Sequence, residues 1–309
     1  MTSLSTARAP VPGPVSPVQG REHEHPTRPP RLGVGPWLQL LPSAVYFLLL
    51  FVVPIGYLIA YSFYSREGFD FVPAWTLENY REALTSDVYR TFYLRTLSTA
   101  TITSLIVVAI SFPFAFIICY VLPTRRQLLY FLVLVSLFGG YLVRIFAWRN
   151  ILGRQGFINE SLIRLGLIDQ PLTVLLNSRG AVILALVNYL IPLGILPIFA
   201  AMQNVSASQI EAARDLGASR WHAALKIVLP LTSRGVAAAF AFTFIAAACE
   251  WVTPQLLGGT GDQLIGNQIA HQFGGGLNWP MGAALAIVLV TGVAVLIGIV
   301  NAVIRWVSR

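Results

Sequence analysis

Apolar residues gather in six long stretches, near residues 40–62, 96–122, 128–147, 179–200, 234–254 and 281–305, with polar residues between them. Each stretch is close to the roughly 20 residues an α-helix needs to cross a hydrocarbon core. The pattern predicts an all-α polytopic membrane protein with six transmembrane helices. The intervals differ in kind. Residues 63–95 are rich in aromatic and charged side chains, and Thr76 to Leu84 reads as a short surface helix. "PTRRQ" (Pro123 to Gln127) makes a tight turn, and residues 148–178 form a mixed loop with an amphipathic piece, "INESLIRLGL". A glycine-rich segment, 255–280, reads as a flexible gate or a compact loop. Residues 201–233 contain "EAARDLGASRWHAALKIVLP" (Glu211 to Pro230), which looks like part of a soluble protein.

Composition agrees with the pattern: 56% of the 309 residues are hydrophobic and 11% charged, against about 25% charged in an ordinary soluble domain. Residues 1–36 stand apart. They hold 8 of the 19 prolines and no apolar core of the kind a signal peptide has, and so read as a disordered tail ahead of the membrane-spanning region, 37–309. His23 and His25 in that tail read as solvated residues rather than metal ligands, and no metal site is expected. The cysteines, Cys119 and Cys249, fall at opposite ends of their spans and are expected as free thiols.

Charge then sets an orientation. With both termini cytoplasmic, the inner segments hold 12 basic and 4 acidic residues and the outer loops 8 of each. The excess of arginine and lysine belongs on the cytoplasmic side. The net charge of +8 therefore reports topology, and nucleic acid is not needed as a partner. Residues 201–233 become a cytoplasmic loop.

That loop is patterned as a helical elbow. Ser208 stands three residues before Glu211, the spacing of a capping box. Gly217 can end a first helix in the left-handed conformation, and Ser219 can cap a second. There Trp221, Leu225, Val228 and Leu229 recur at spacings of three and four, and Pro230 is expected to stop or kink the helix. Ile210, Ala213 and Gly217 form a thin stripe of small residues, suited to a groove on a partner protein. The plainer alternative is an amphipathic connector lying on the membrane surface.

The spacing Glu211-Ala212-Ala213, three residues, Gly217, nine residues, Ile227, one residue, Leu229-Pro230 resembles the EAA motif of permease subunits in binding-protein-dependent ABC importers. It matches at every signature position. "GGYLVRIFAWRNILGRQGFINESL" (139–162), "EWVTPQLLGG" (250–259) and "NWPMGAALAIVL" (278–289) resemble the spermidine/putrescine-type branch, though Ile145 stands where that branch has a small polar residue. The resemblance covers roughly 37–309. It implies the type I ABC importer permease fold in a bacterial plasma membrane. The elbow would be a coupling helix seated on an ATP-hydrolysing subunit, with Glu211 paired to a basic residue there. It further implies two ATP-binding subunits, a second, homologous permease and an extracytoplasmic solute-binding protein, and uptake of a polyamine or an opine-like or other small organic solute. The single lysine, Lys226, lies outside any GxxxxGK[ST] loop, so this chain has no nucleotide site of its own. No cofactor is expected.

Arg144 and Glu250 are the ionisable residues inside the proposed spans, where charge is costly. Both lie about 16 residues from the cytoplasmic ends of their spans, hence at similar depth. Two readings stand: an ion pair locking spans three and five, or Glu250 facing the pathway to meet a cationic amine. Asn188 and Tyr189 are softer pathway candidates, in a helix that Pro192 and Pro197 should bend. Trp279-Pro280 should start the last helix. Two rival classes fit the sequence less well. "GTGD" (Gly259 to Asp262) has the letters of an intramembrane aspartyl protease element, but no second aspartate lies in any span to share its proton. A self-contained channel or secondary transporter would show an internal repeat, and none is visible.

Overall fold

The computed structural model describes residues 34–68, 70–215 and 217–307. The tail expected to be disordered lies, as far as residue 33, outside the described residues, as do His23 and His25. The chain divides into two compact units, residues 1–53 and 54–309.

In the first unit, α1 (Val34–Phe47) runs into a π turn, Leu48–Val52. α2 (Val53–Tyr61) belongs, but for Val53, to the second unit, and Leu40–Tyr61 is an apolar stretch long enough to span a membrane. The second unit continues with a hairpin of two three-residue strands, β1 (Ser65–Glu67) and β2 (Asp70–Val72), paired with Arg66 opposite Phe71. Then come α3 (Glu78–Thr85), α4 (Asp87–Phe116), α5 (Arg126–Leu137), α6 (Tyr141–Leu152), α7 (Phe157–Arg164) and α8 (Arg179–Met202). The elbow is α9 (Ala207–Asp215), α10 (Arg220–Ala223) and α11 (Leu229–Leu231). It leads to α12 (Ser233–Ala248), α13 (Val252–Leu257), α14 (Ile265–Phe273) and α15 (Trp279–Val307). Among the described residues four helices are long and apolar enough to cross a membrane, or six if each of two bent pairs counts as one span.

Those bent pairs correct the simple picture. The third span is not one helix over 128–147: α5 and α6 meet at 85° across Phe138 to Gly140. The fifth is not one helix over 234–254 either. It enters through a 78° break at Thr232 and ends at Ala248, after which the chain restarts as α13. The second span begins at Asp87, nine residues earlier than expected, and the glycine-rich 255–280 holds the second half of α13 and all of α14. As expected, α15 starts at Trp279 and Pro280. α8 continues unbroken through Pro192 and Pro197.

Proline also explains the π turns. Leu48–Val52, Ile117–Val121 and Ala224–Val228 each end two residues before a proline, Pro54, Pro123 and Pro230. A proline ring crowds the carbonyl four residues back and supplies no N–H to it. Widening the preceding turn relieves both problems; the helix then continues through Pro54 and Pro230, whereas after Ile117–Val121 it ends at Leu122.

The core of the second unit is the packing of α4, α8 and α12 on one another. Toward one end it is built on Val107, Val182, Leu186, Leu190, Phe244 and Leu285. Toward the other, elbow end it is built on Phe116, Ile118, Ile198, Met202 and Val228. Membrane helices gain little from hydrophobicity against lipid and associate through close contact at small residues. Gly235 is such a contact: a Cβ there would fall 2.4 Å from the Ala201 Cβ and 2.8 Å from the Pro197 carbonyl oxygen, so α12 crosses α8 with no room for a side chain.

Candidate functional site

The elbow begins two residues earlier than the capping-box spacing implies. α9 starts at Ala207, the Gln209 N–H bonds the Ser206 carbonyl at 3.2 Å, and the Ser208 hydroxyl lies 3.0 Å from that of Ser206. Ser208 is therefore inside the helix and the Ser208–Glu211 box is not formed. The helix end is as expected. Gly217 has φ +87°, and the Ala218 N–H donates to the Ala213 carbonyl at 3.0 Å, closing the last turn across the glycine. Ser219 caps the next helix, its hydroxyl accepting from the His222 N–H at 3.2 Å. The break into α12 falls at Thr232, two residues past Pro230, and the Thr232 hydroxyl donates to the Val228 carbonyl at 2.7 Å.

The two faces of the elbow differ. Ile210 is buried, and with Ala213 it packs into the cluster formed by Phe116, Met202 and Val228; Ala223, Ala224 and Val228 are wholly enclosed. This corrects the expectation that Ile210 and Ala213 present a stripe to a partner: they fasten the elbow to its own bundle. The outward face carries Glu211, Ala212, Asp215 and Gly217, all exposed, and all but Ala212 line a depression of about 430 Å³. Trp221 is 56% exposed and stacks on Phe116 at 6.3 Å, and Leu225 is 55% exposed. Of the remaining signature positions, Ile227 and Leu229 are half-buried and Pro230 is exposed.

The charges within the spans do not meet. Among the described residues the ion pair is Glu160 with Arg164, on α7. Arg144 turns back across Gly139 and donates to the Ser136 carbonyl in the last turn of α5. Glu250 accepts from the backbone N–H groups of Trp251, Val252 and Thr253 at 3.0, 2.8 and 3.3 Å, at the start of α13. A broken helix leaves carbonyls bare at one side of the break and N–H groups at the other, and hydrocarbon supplies no partner for either. A cation at the first and a carboxylate at the second complement the helix dipole. The equal-depth argument fails because neither residue lies on the continuous helix it assumed.

Around them is a small polar group. The Tyr189 ring meets that of Tyr141 edge-on at 4.9 Å, and the Arg144 guanidinium lies 6.0 Å from the Tyr189 ring centre. The Tyr141 hydroxyl is 2.9 Å from the Thr253 hydroxyl, with the Glu250 carboxylate as its charged neighbour. Asn188, beside Tyr189, is exposed. Tyr141 and Thr253 join α6 to α13 and were missed in the sequence, although both lie inside stretches that carried the family resemblance. Asp262 only closes its own loop, accepting from the Gly259 N–H at 3.2 Å.

Independent capping gives a test. Glu250→Leu and Arg144→Met are each expected to cost about 1–2 kcal/mol, read as a lower melting temperature in detergent, and their double variant close to the sum. Glu250→Gln, which keeps an acceptor, should lose less. A double variant no worse than either single one would mean that the two residues act as a pair.

Bent spans, small-residue crossings and an exposed elbow describe an all-α, multi-pass membrane protein. Residues 93–309 match the family of binding-protein-dependent transport system inner membrane components, and the chain belongs to that family. It is 35% identical over 263 residues to the spermidine/putrescine transport system permease protein PotB of Haemophilus influenzae, covering 84% of this chain and 91% of that one. It is 34% identical over 252 residues to PotB of Escherichia coli, covering 81% and 91%. Its fold is similar to a chain of a bacterial ABC transporter involved in the import of the acidic polysaccharide alginate. The TM-score is 0.71 at 17% identity, covering 88% of this chain and 96% of that one. The type I importer permease fold implied by the resemblance is the fold found.

Proposed function

We propose that this chain is one of two homologous permease subunits of an ATP-driven importer of polyamines, spermidine or putrescine. A solute-binding protein delivers the substrate from outside, and two ATP-hydrolysing subunits inside the cell drive the cycle. The observation that carries this reading is the two-faced elbow: one side is built into the bundle and the other is bare around Glu211 and Gly217. The substrate class rests on the identity to proteins named as spermidine/putrescine permeases. With both termini and residues 201–233 cytoplasmic, the basic excess falls on the inner side.

In this reading Glu211, Ala212, Ala213, Gly217, Ile227, Leu229 and Pro230 make the coupling device. Glu211 meets a basic residue of the ATPase. Ala212 and Gly217 allow close approach, while Ala213, Ile227 and Leu229 tie the elbow to the spans. Closure of the ATPase pair moves two such elbows together, and their rigid attachment carries the motion to α4, α8 and α12. Solute passes by Tyr189, Asn188, Arg144 and Glu250. One oxygen of Glu250 is held by three amides, which leaves the carboxylate's remaining acceptor capacity, beside the Tyr141 hydroxyl, to meet an ammonium group.

The test is reconstitution of the four kinds of subunit in proteoliposomes. Radiolabelled spermidine is expected to accumulate only with ATP and binding protein both present, and unlabelled putrescine to compete. Accumulation by this chain alone, without any ATPase, would show a self-contained carrier. ATP-driven uptake of another solute with spermidine ignored would remove the substrate assignment and leave the coupling intact.

A further inference from the structure

A cavity of about 400 Å³ opens at the elbow end, where α5 passes the last turn of α8, and the coupling face does not line it. Thr124, Arg126, Gln127 and Tyr130 form one wall, and Phe199 and Gln203 the other. The Phe199 ring stacks on Tyr130 at 4.5 Å, and the Arg126 guanidinium lies 5.1 Å from its centre. A guanidinium laid on an aromatic face is held in place with its in-plane N–H donors still free. Arg126 makes no ion pair among the described residues. No carboxylate lines the cavity, whose other polar groups are two carboxamides, a hydroxyl and a phenol. This chemistry selects an anion with several acceptor oxygens.

The position says which one. The cavity sits where the broken span Pro123–Leu137 begins, at the edge of the hydrocarbon region, the depth of phospholipid headgroups. One turn on from Thr124 and Gln127, α5 is apolar and bare: Leu128, Phe131 and Leu132 are 57%, 59% and 53% exposed. A free phosphate would leave that stripe unused, whereas a phospholipid fills the cavity with its headgroup and lays its chains along the stripe. We infer that this cavity, at the corner of α5 and α8, binds the phosphodiester headgroup of an anionic phospholipid, gripped by Arg126. Its occupant would brace Phe199 and Gln203, the stretch of chain leading straight into the elbow.

Native mass spectrometry of the purified full chain, offered phosphatidylglycerol and phosphatidylcholine together in equal amounts, tests this. The unaltered protein is expected to retain phosphatidylglycerol preferentially. Arg126→Gln should lower that retained fraction roughly tenfold, while Arg125→Gln, at the exposed neighbour, should change it little. Inorganic phosphate in excess is expected to leave the lipid in place. Equal retention by Arg126→Gln and the unaltered protein would overturn the assignment, and so would displacement of the lipid by inorganic phosphate, which marks a small-anion site. Hydrogen exchange on the unaltered chain gives a readout that needs no variant. Residues 122–130 should exchange more slowly in nanodiscs containing phosphatidylglycerol than in phosphatidylcholine alone, and identical rates would overturn the proposal.

Discussion

Uptake by a Glu211→Ala variant is expected to fall by about a hundredfold with no change in membrane insertion or melting temperature. The side chain is exposed and makes no hydrogen bond within the described chain, so its removal takes nothing from the fold. Truncating one partner of an interfacial charge pair costs about 2–5 kcal/mol, and each 1.4 kcal/mol is a factor of ten. Gly217→Val should reach the same phenotype by another route. No atom lies within 4 Å of a Cβ built there, so nothing clashes, but φ +87° is a backbone conformation that a β-branched residue adopts only under strain. The chain between α9 and α10 would then take another path, misplacing Glu211 although the bundle is untouched. Gly217→Ala should fall between. Co-purification with the ATPase subunits and uptake, measured on the same samples, separate the possibilities. If both variants transport at the unaltered rate, the elbow is not the coupling element.

The extent to which this arrangement can be read in the sequence follows from what each signal measures. Runs of apolar residues report passage through hydrocarbon, so the approximate places of the spans were legible, four of them as single helices and two as bent pairs. Gly217 and Ser219 were legible because their roles are local: one accepts positive φ and the other offers a hydroxyl to a nearby N–H. The bend at Phe138 to Gly140 and the interruption after Ala248 were not, because hydropathy records depth and carries no direction. The residues that make the bends possible were in view. Gly139 leaves the space Arg144 crosses, and Glu250 follows the end of α12. The ion-pair reading of Arg144 and Glu250 fails because equal rise holds only along continuous helices, and both helices are interrupted. Ile210 and Ala213 illustrate a different limit. Periodicity puts them on one face of α9, but in a loop lying between a bundle and a possible neighbour it does not say which of the two that face meets.

Gly235→Val is expected to produce the largest loss of stability, because the obstruction is backbone rather than a movable side chain. The new Cβ would stand 2.8 Å from the Pro197 carbonyl oxygen and 2.4 Å from the Ala201 Cβ. Neither atom can swing away, so α12 must shift from α8 or the pair must separate. Overpacking of this kind costs about 3 kcal/mol, roughly 5 °C in melting temperature for a chain of this size. Gly292→Ala is the matched control. It too lies in a long apolar helix, α15, but nothing lies within 4 Å of its added Cβ, so its melting temperature should be unchanged or slightly raised. An unaltered melting temperature for Gly235→Val would mean that α8 and α12 do not touch at that crossing. The consequence reaches past stability, since α8 is the helix that enters the elbow and α12 the one that leaves it. Their contact at Gly235 clamps both arms just where a pull on Glu211 would arrive. Variants that loosen this crossing without unfolding the chain, such as Gly235→Ala, should therefore hydrolyse ATP through the partner subunits while moving less solute per nucleotide.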